Sequence, residues 1–302
     1  MISITGGGGF LGWHTRVAAR ASGQSLEPVA VGDSFDLESA AAVLSRSSRV
    51  IHIAGVNRDT DDNVRRQNER FAHQLVRALD RADSAPAIVV FANSIQAGNG
   101  TPYGEAKRAA SDLLADWCAR NGADYLDVQL PNIFGEHGRP NYNSVTATFA
   151  QLLASGGAPQ VETDRELALM HSQDAAELVL TANSPHDLHH APVTEITVQE
   201  LLEKLTLLSQ LYRAGEIPDV SSRFDLNLFN TYRSFTIGPE MIFPRTRNED
   251  ARGVFTEVLR THGGTGQSSH STTAPGVTRG EHFHLRKVER FTVIEGEATI
   301  AM

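Results

Sequence analysis

Residues 1–12 read M-I-S-I-T-G-G-G-G-F-L-G, a short apolar run that enters a glycine turn and then the start of a helix. Gly6, Gly9 and Gly12 stand at G-x-x-G-x-x-G spacing. Glycine lets the backbone turn tightly and lets a pyrophosphate approach the helix N-terminus, where unpaired amides and the helix dipole favour an anion. Phe10 and Leu11, between the last two glycines, join them as candidate cofactor contacts. Taken alone, the turn is weak evidence, since a tight βα connection that binds nothing is the alternative. The rest of the chain has to decide.

Apolar runs at 2–5, 29–31, 50–54, 88–92 and 125–129 alternate with helical patterns at 12–21, 37–45, 63–82 and 103–121. That alternation predicts an α/β fold with a doubly wound parallel sheet of the Rossmann type. A further helix is expected over 197–212, followed by a polar stretch, and from Phe255 the chain turns strand-rich and glycine-punctuated. A boundary between Ser234 and Thr246 divides the chain into residues 1–240 and a β-rich segment 241–302.

The chain has 302 residues, 40% of them hydrophobic, enough for a large domain and a smaller one. Its formal net charge of -9 argues against a nucleic-acid or anionic-membrane surface, which needs clustered Lys and Arg, and favours a small-molecule partner. Cys118 is the single cysteine, so no intrachain disulfide forms; it reads as a buried helix residue in a reducing compartment. No apolar run spans a bilayer and no signal-peptide pattern opens the chain, so the expected address is the cytoplasm.

The decisive chemistry lies at Y-G-E-A-K, Tyr103 to Lys107, with Ser94 upstream in F-A-N-S-I-Q-A. Tyr and Lys four apart share a helix face, so the ammonium is expected to lie beside the phenol and lower its pKa. Such a tyrosine can protonate a carbonyl oxygen while hydride arrives from a nicotinamide, and Ser94 can hydrogen-bond the same oxygen. A Y-x-x-x-K by itself is an ordinary solvated helix face. Following a strand that ends in serine, downstream of a glycine loop, it resembles the triad of the short-chain dehydrogenase/reductase family. I-H-I-A-G at 51–55 and L-P-N-I-F-G at 130–135 resemble its extended, nucleotide-sugar branch. There, Ala54 and Gly55 fall on the nicotinamide side, and Asn132 opens the sugar-nucleotide side; a backbone-capping role for Asn132 is the alternative.

Near the C-terminus, 276–296 reads G-V-T-R-G-E-H-F-H-L-R-K-V-E-R-F-T-V-I-E-G. Residues two apart on a strand point to one side, so His282 and His284 can aim at a common point and Glu289 can return a carboxylate. Two imidazoles and a carboxylate suit a divalent ion such as Zn2+. The spacing resembles the first motif of the cupin superfamily; a chance His-x-His on an exposed strand is the bland alternative. The second cupin motif is absent before Met302, so the expected barrel is cut short, as a piece of a longer protein or as a remnant.

G-V-N-R at 55–58, S-I-Q-A at 94–97, R-P-N-Y-N-S-V at 139–145 and S-R-F-D at 222–225 resemble a narrower family. It is the CapF-like bifunctional enzymes of capsular polysaccharide and O-antigen synthesis, which fuse a reductase to a C-terminal cupin. The resemblance implies a UDP-linked 2-acetamido-2,6-dideoxy-4-hexulose as substrate. The cupin inverts C3, and the reductase reduces the C4 ketone to UDP-2-acetamido-2,6-dideoxy-L-talose, the precursor of UDP-N-acetyl-L-fucosamine. It also implies NADPH and a homodimer. Asp33, after the second strand, favours NADH if it meets the ribose, or faces solvent if it lies in the loop beyond. Arg58 is a candidate cofactor contact or a plain loop cation. Arg139, Asn141, Tyr142 and Asn143 either bind the UDP moiety or close a loop on its own backbone. Asp174 resembles a family position that opens a helix near the sugar site, with a helix cap as the preferred reading, and His186, His189 and His190 read as exposed. Alternatives in function are a non-catalytic sugar-nucleotide or cofactor-binding protein whose cupin serves assembly, or another nucleotide-sugar reductase or dehydratase.

Overall fold

The computed structural model describes residues 1–237, 243, 245–264, 266–281 and 289–300. Five parallel strands form the main sheet in the order β2-β1-β3-β4-β5: β1 (Ile2–Thr5), β2 (Leu26–Val29), β3 (Arg49–His52), β4 (Ile88–Ser94) and β5 (Asp124–Leu130). Helices α1 (Phe10–Ala21), α2 (Leu37–Leu44), α3 (Asp61–Arg81) and α4 (Pro102–Asn121) are the crossovers. This is the doubly wound Rossmann arrangement expected from the alternation.

Strand periodicity explains the two-sided core. On β4, Ile88, Val90 and Ala92 pack toward α1 and α6 (Ser172–Thr181), while Val89 and Phe91 pack toward α2, α3 and α4 with Leu75, Leu114 and Trp117. A strand buried on both faces reads as a continuous apolar run, which is why β4 was legible. The second strand was not. It was expected at 29–31 but spans Leu26–Val29 with Pro28 inside it. It is the edge of the sheet, the position where a proline is tolerated in a strand.

A second, smaller sheet has the order β6-β7-β8: β6 (Asn132–Phe134), β7 (Glu166–His171) and β8 (Thr194–Thr197). It packs with α5 (Val145–Ala154), α8 (Val198–Arg213) and α9 (Arg223–Arg233) around a separate core that includes Phe149, Leu205, Phe229 and Tyr232. The short α7 (Pro185–Leu188) carries His186 near His189 and His190, all three exposed as expected. The helix expected over 197–212 is α8, with Thr197 as its cap and Glu200 closing a capping box.

The C-terminal segment forms an antiparallel sheet, β11-β10-β9, from β9 (Arg247–Asp250), β10 (Gly253–Arg260) and β11 (Gln267–Ser271). It meets the rest of the chain through a bridge between Ile217 and Thr261, the His262 amide donating to the Ile217 carbonyl at 2.9 Å, and a His262–Glu216 pair. His282 and His284 lie outside the described residues. Among the described residues no group of His, Cys, Asp or Glu is arranged to hold a metal, and no helix is long and apolar enough to cross a membrane.

Candidate active site

All five strands of the main sheet run in the same direction, so the glycine turn, the segment after β3 and the end of β4 collect at its carboxyl edge. In open α/β sheets this edge is where ligands bind. Gly6 has φ +71, and a side chain there would strike the Ala54 backbone. Gly12 packs so closely on the Gly6 carbonyl that a Cβ has no room. The turn is thereby pressed against the Ile53–Ala54 backbone. Gly9 caps α1 with no side-chain hydrogen bond, and no atom lies within 4 Å of the position a Gly8 Cβ would take. Free amides beside open space fit a cofactor pyrophosphate.

Ser94 ends β4 and Tyr103 lies in the first turn of α4. Thr101 caps that helix by accepting the Gly104 amide at 3.1 Å, with Pro102 in its first turn. The connecting loop folds back onto the helix, the Gly98 amide donating to the Gly104 carbonyl at 2.9 Å. Burial pushes the Tyr103 phenol above its usual pKa, and a hydrogen bond with Ser94 offsets part of that shift.

Lys107 corrects one expectation. Its ammonium was expected to lower the phenol's pKa, but the phenol is raised, and Lys107 Nζ donates instead to the Ala92 carbonyl at 2.7 Å. Nζ also sits 4.2 Å from the Phe91 ring centre. The side chain is only 4% exposed, and burial pulls its pKa down to about 7 despite the opposing charge of Asp127. On the other side of this core, His52 stacks on Phe91 at 5.4 Å and meets Thr5 Oγ1 at 2.6 Å. Thr5 Oγ1 already accepts the Ile53 and Ala54 amides at 3.2 and 3.3 Å, so its proton goes to His52 Nδ1. Burial, then the Lys107 charge, lowers His52 to about 3 and keeps it neutral.

A cleft of about 430 Å³ opens beside β6, lined in part by Arg58, Asn132, Asn141, Tyr142, Asn143 and Arg165. Arg58 leaves the segment after β3 and donates to the Asn141 carbonyl at 2.8 Å and to that of Tyr142. It therefore links the cofactor half to the 139–143 loop. The Tyr142 ring lies 4.9 Å from the Arg139 guanidinium and 6.0 Å from that of Arg58. Asn132 Nδ2 reaches the Ala168 carbonyl on β7 at 3.4 Å.

Asp33 lies in a one-turn 3₁₀ segment, Gly32–Ser34, beyond β2, and its side chain is 97% exposed and paired with Arg70 at 2.7 Å. Asp174 is not a cap. It is buried in the first turn of α6 and pairs with Arg223 from α9. Cys118 is buried on α4 as expected, its thiol pushed up to about 11.

Sequence reasoning missed Arg165, which precedes an unrecognised strand, and a buried cluster below the 135–138 turn. His171 Nε2 meets Glu136 Oε2 at 3.1 Å, and His14 Nε2 donates to the Glu136 carbonyl at 3.0 Å. Burial raises the Glu136 carboxyl, but the His171 bond, its own backbone amide and the His171 and His14 rings together outweigh that and hold it below the usual carboxylate range. Its partners lie 35 and 122 residues away, a separation no local pattern reveals.

Comparison with known proteins agrees with this geometry. Residues 2–191 match the NAD dependent epimerase/dehydratase family, and residues 248–302 match the polysaccharide biosynthesis C-terminal domain. The chain is 30% identical to a UDP-2-acetamido-2,6-beta-L-arabino-hexul-4-ose reductase of Pseudomonas aeruginosa, over 98% of this chain and 81% of that protein. The crystal structure of the capsular polysaccharide assembling protein CapF from Staphylococcus aureus superposes with TM-score 0.79 at 29% identity, covering 92% of this chain and 77% of that one. A UDP-N-acetylglucosamine 4-epimerase from Bacillus cereus, 17% identical with TM-score 0.57 over 69% of this chain and 81% of that one, shares the fold. The chain belongs to the NAD dependent epimerase/dehydratase family, as a CapF-like member with a polysaccharide biosynthesis C-terminal domain and a nicotinamide cofactor.

Proposed function

We propose that this chain reduces the C4 ketone of a UDP-2-acetamido-2,6-dideoxy-4-hexulose to UDP-2-acetamido-2,6-dideoxy-L-talose, in a route to UDP-N-acetyl-L-fucosamine for capsule or O-antigen. The observation that carries the reading is the meeting of Ser94 with Tyr103 at the carboxyl edge of the sheet, on the same edge as the uncapped start of α1. Binding alone needs no such phenol, which weighs against a non-catalytic role. The bound nicotinamide supplies hydride to the sugar C4 carbon. Tyr103 gives its proton to the ketone oxygen as that oxygen gains charge, and Ser94 holds the oxygen by a hydrogen bond. Lys107 stabilises the phenolate left on Tyr103 by turning from the Ala92 carbonyl toward it. Gly6, Gly9, Phe10, Leu11, Gly12, Ala54 and Gly55 form the cofactor side. Asn132, Arg139, Asn141, Tyr142 and Asn143 hold the UDP-sugar, and Arg58 ties the two sides together. NADPH is the first choice of cofactor, with NADH the alternative.

Residues 1–240 form the reductase, and residues 241–302 belong to a cupin that inverts C3. A C3 proton is acidic only while C4 is a ketone, because the carbanion delocalises onto that oxygen, so inversion precedes reduction. His282, His284 and Glu289 are the proposed Zn2+ ligands of the cupin. The assembly is a cytoplasmic homodimer, a reading supported by the exposed apolar side chains of Phe255, Val258 and Leu259 on β10. The test is oxidation of NADPH, and separately NADH, with the 4-keto sugar and its C3 epimer in parallel. Turnover of both sugars is expected if inversion and reduction share the chain, and turnover of the epimer alone assigns it reduction only. No oxidation with either sugar ends the reductase reading.

A further inference from the structure

The turn beyond β2 is held by side chains from consecutive turns of α3. Gln74, buried, closes a ring with Gly32: it accepts the Gly32 amide at 2.6 Å and donates to the Gly32 carbonyl at 3.0 Å. Gly32 has φ +84, and a Cβ there would lie 3.2 Å from the Phe71 ring. One helical turn before Gln74, Arg70 Nη1 donates to Asp33 Oδ1 at 2.7 Å, with the two side chains 37% and 97% exposed. The backbone of this turn is therefore fixed while the ion pair on it stands in water.

The turn lies at the carboxyl edge of the sheet, on the strand next to the one that feeds the glycine loop. At this corner of a dinucleotide fold a carboxylate takes the ribose hydroxyls, or a nearby arginine takes a 2′-phosphate. Here both groups are present, bonded to each other. We infer that Arg70 is the 2′-phosphate ligand of the cofactor site and that Asp33 is the counter-ion which the phosphate displaces, so this pair sets the choice between NADPH and NADH. An exposed ion pair adds little stability, so exchanging the carboxylate for a dianionic phosphate, a bidentate partner of arginine, is favourable. Asp33 then turns into solvent. With NADH the pair stays closed, and the free Asp33 oxygen can accept a ribose hydroxyl.

The inference rests on the proposed function only for the presence of a nicotinamide cofactor, and its test needs no sugar. The full chain is titrated with NADPH, NADH and 2′,5′-ADP by calorimetry, beside Arg70→Ala, Arg70→Lys and Asp33→Asn. Arg70→Ala is expected to weaken NADPH and 2′,5′-ADP by about tenfold or more and NADH by less than about twofold, the loss of a charge-assisted bond. Arg70→Lys falls between, keeping the charge without the fork. Asp33→Asn is expected to tighten NADPH and weaken NADH. Equal losses for both dinucleotides in Arg70→Ala, or no loss, overturn the inference, as does a wild-type chain that binds NADH but not 2′,5′-ADP. A chain that binds NADPH with these responses but reduces no keto sugar supports the inference and overturns the proposed function. Failure to bind either dinucleotide overturns both.

Discussion

The main sheet and the C-terminal sheet are built on opposite terms. β3 is buried along its whole length and β4 along all but its last residue, whereas β9 and β11 are exposed throughout. The first sheet is covered by helices on both faces, so the side chains at its carboxyl edge inherit fixed positions from a packed interior. The second is held by its own ladder and by a few contacts around Ile217 and Thr261, with Phe255, Val258 and Leu259 facing solvent. Precise chemistry belongs on the first kind of platform, because a catalytic hydrogen bond is only as well placed as the element carrying it. The second kind offers a surface that gains stability once something covers it.

The largest expected effect falls at the packed edge. Tyr103→Phe should lower hydride transfer by about 10²–10⁴, read as single-turnover NADPH oxidation, while dinucleotide affinity holds. An unchanged rate would break the link between rigid platform and chemistry. The next effect compares the two sheets directly. Trp117 is 1% exposed and its indole donates to Asp80 at 2.7 Å, so Trp117→Ala should cost about 3–5 kcal/mol in denaturant unfolding. Phe255→Ala, at a site 39% exposed, should cost under about 1 kcal/mol. Similar losses at both positions would show that the C-terminal sheet is better packed than its exposure indicates.

A pH series sharpens the contrast further. The Lys107 pKa is about 7 in the folded, cofactor-free chain against 10.5 for the free side chain. Between those values the unfolded chain holds a proton that the folded chain has released, so stability rises with pH. The penalty is complete below about 7 and is lifted above it. The useful window ends near pH 9, where the unfolded Cys118 thiol is already half ionised while the folded one, at about 11, is not. Thermal unfolding should shift upward from pH 7 to 9, and Lys107→Met should remove that rise. A modest effect on binding is expected in the cleft, where Arg165→Ala should raise KM for the UDP-sugar about tenfold with kcat little changed.

The legibility of the site followed the legibility of the fold. Ser94, Tyr103 and Lys107 were found because β4 is a long apolar run that ends in serine and α4 opens with a tyrosine and lysine on one face. The orientation of Lys107 was not found, since its choice of the Ala92 carbonyl depends on burial against Phe91. β6, β7 and β8 are short, and their apolar positions pack against distant helices, so no local period marked them; Arg165 was lost with them. Asp174 was read as a cap because acidic residues favour a first helical turn, but Arg223 on a distant helix claimed its carboxylate.

Local order along the chain is enough to specify the alternating strands and helices, the glycine turn and the Ser-Tyr-Lys set, because each depends on neighbours within a few residues. The family follows from that set and the phrases around it. Only the tertiary structure decided that Arg58 spans to the 139–143 loop, that Arg70 holds Asp33, and that Lys107 is buried far enough to lose much of its basicity. Those pairings join residues 37 and 83 positions apart or rest on desolvation, and both are properties of packing that a sequence pattern does not carry.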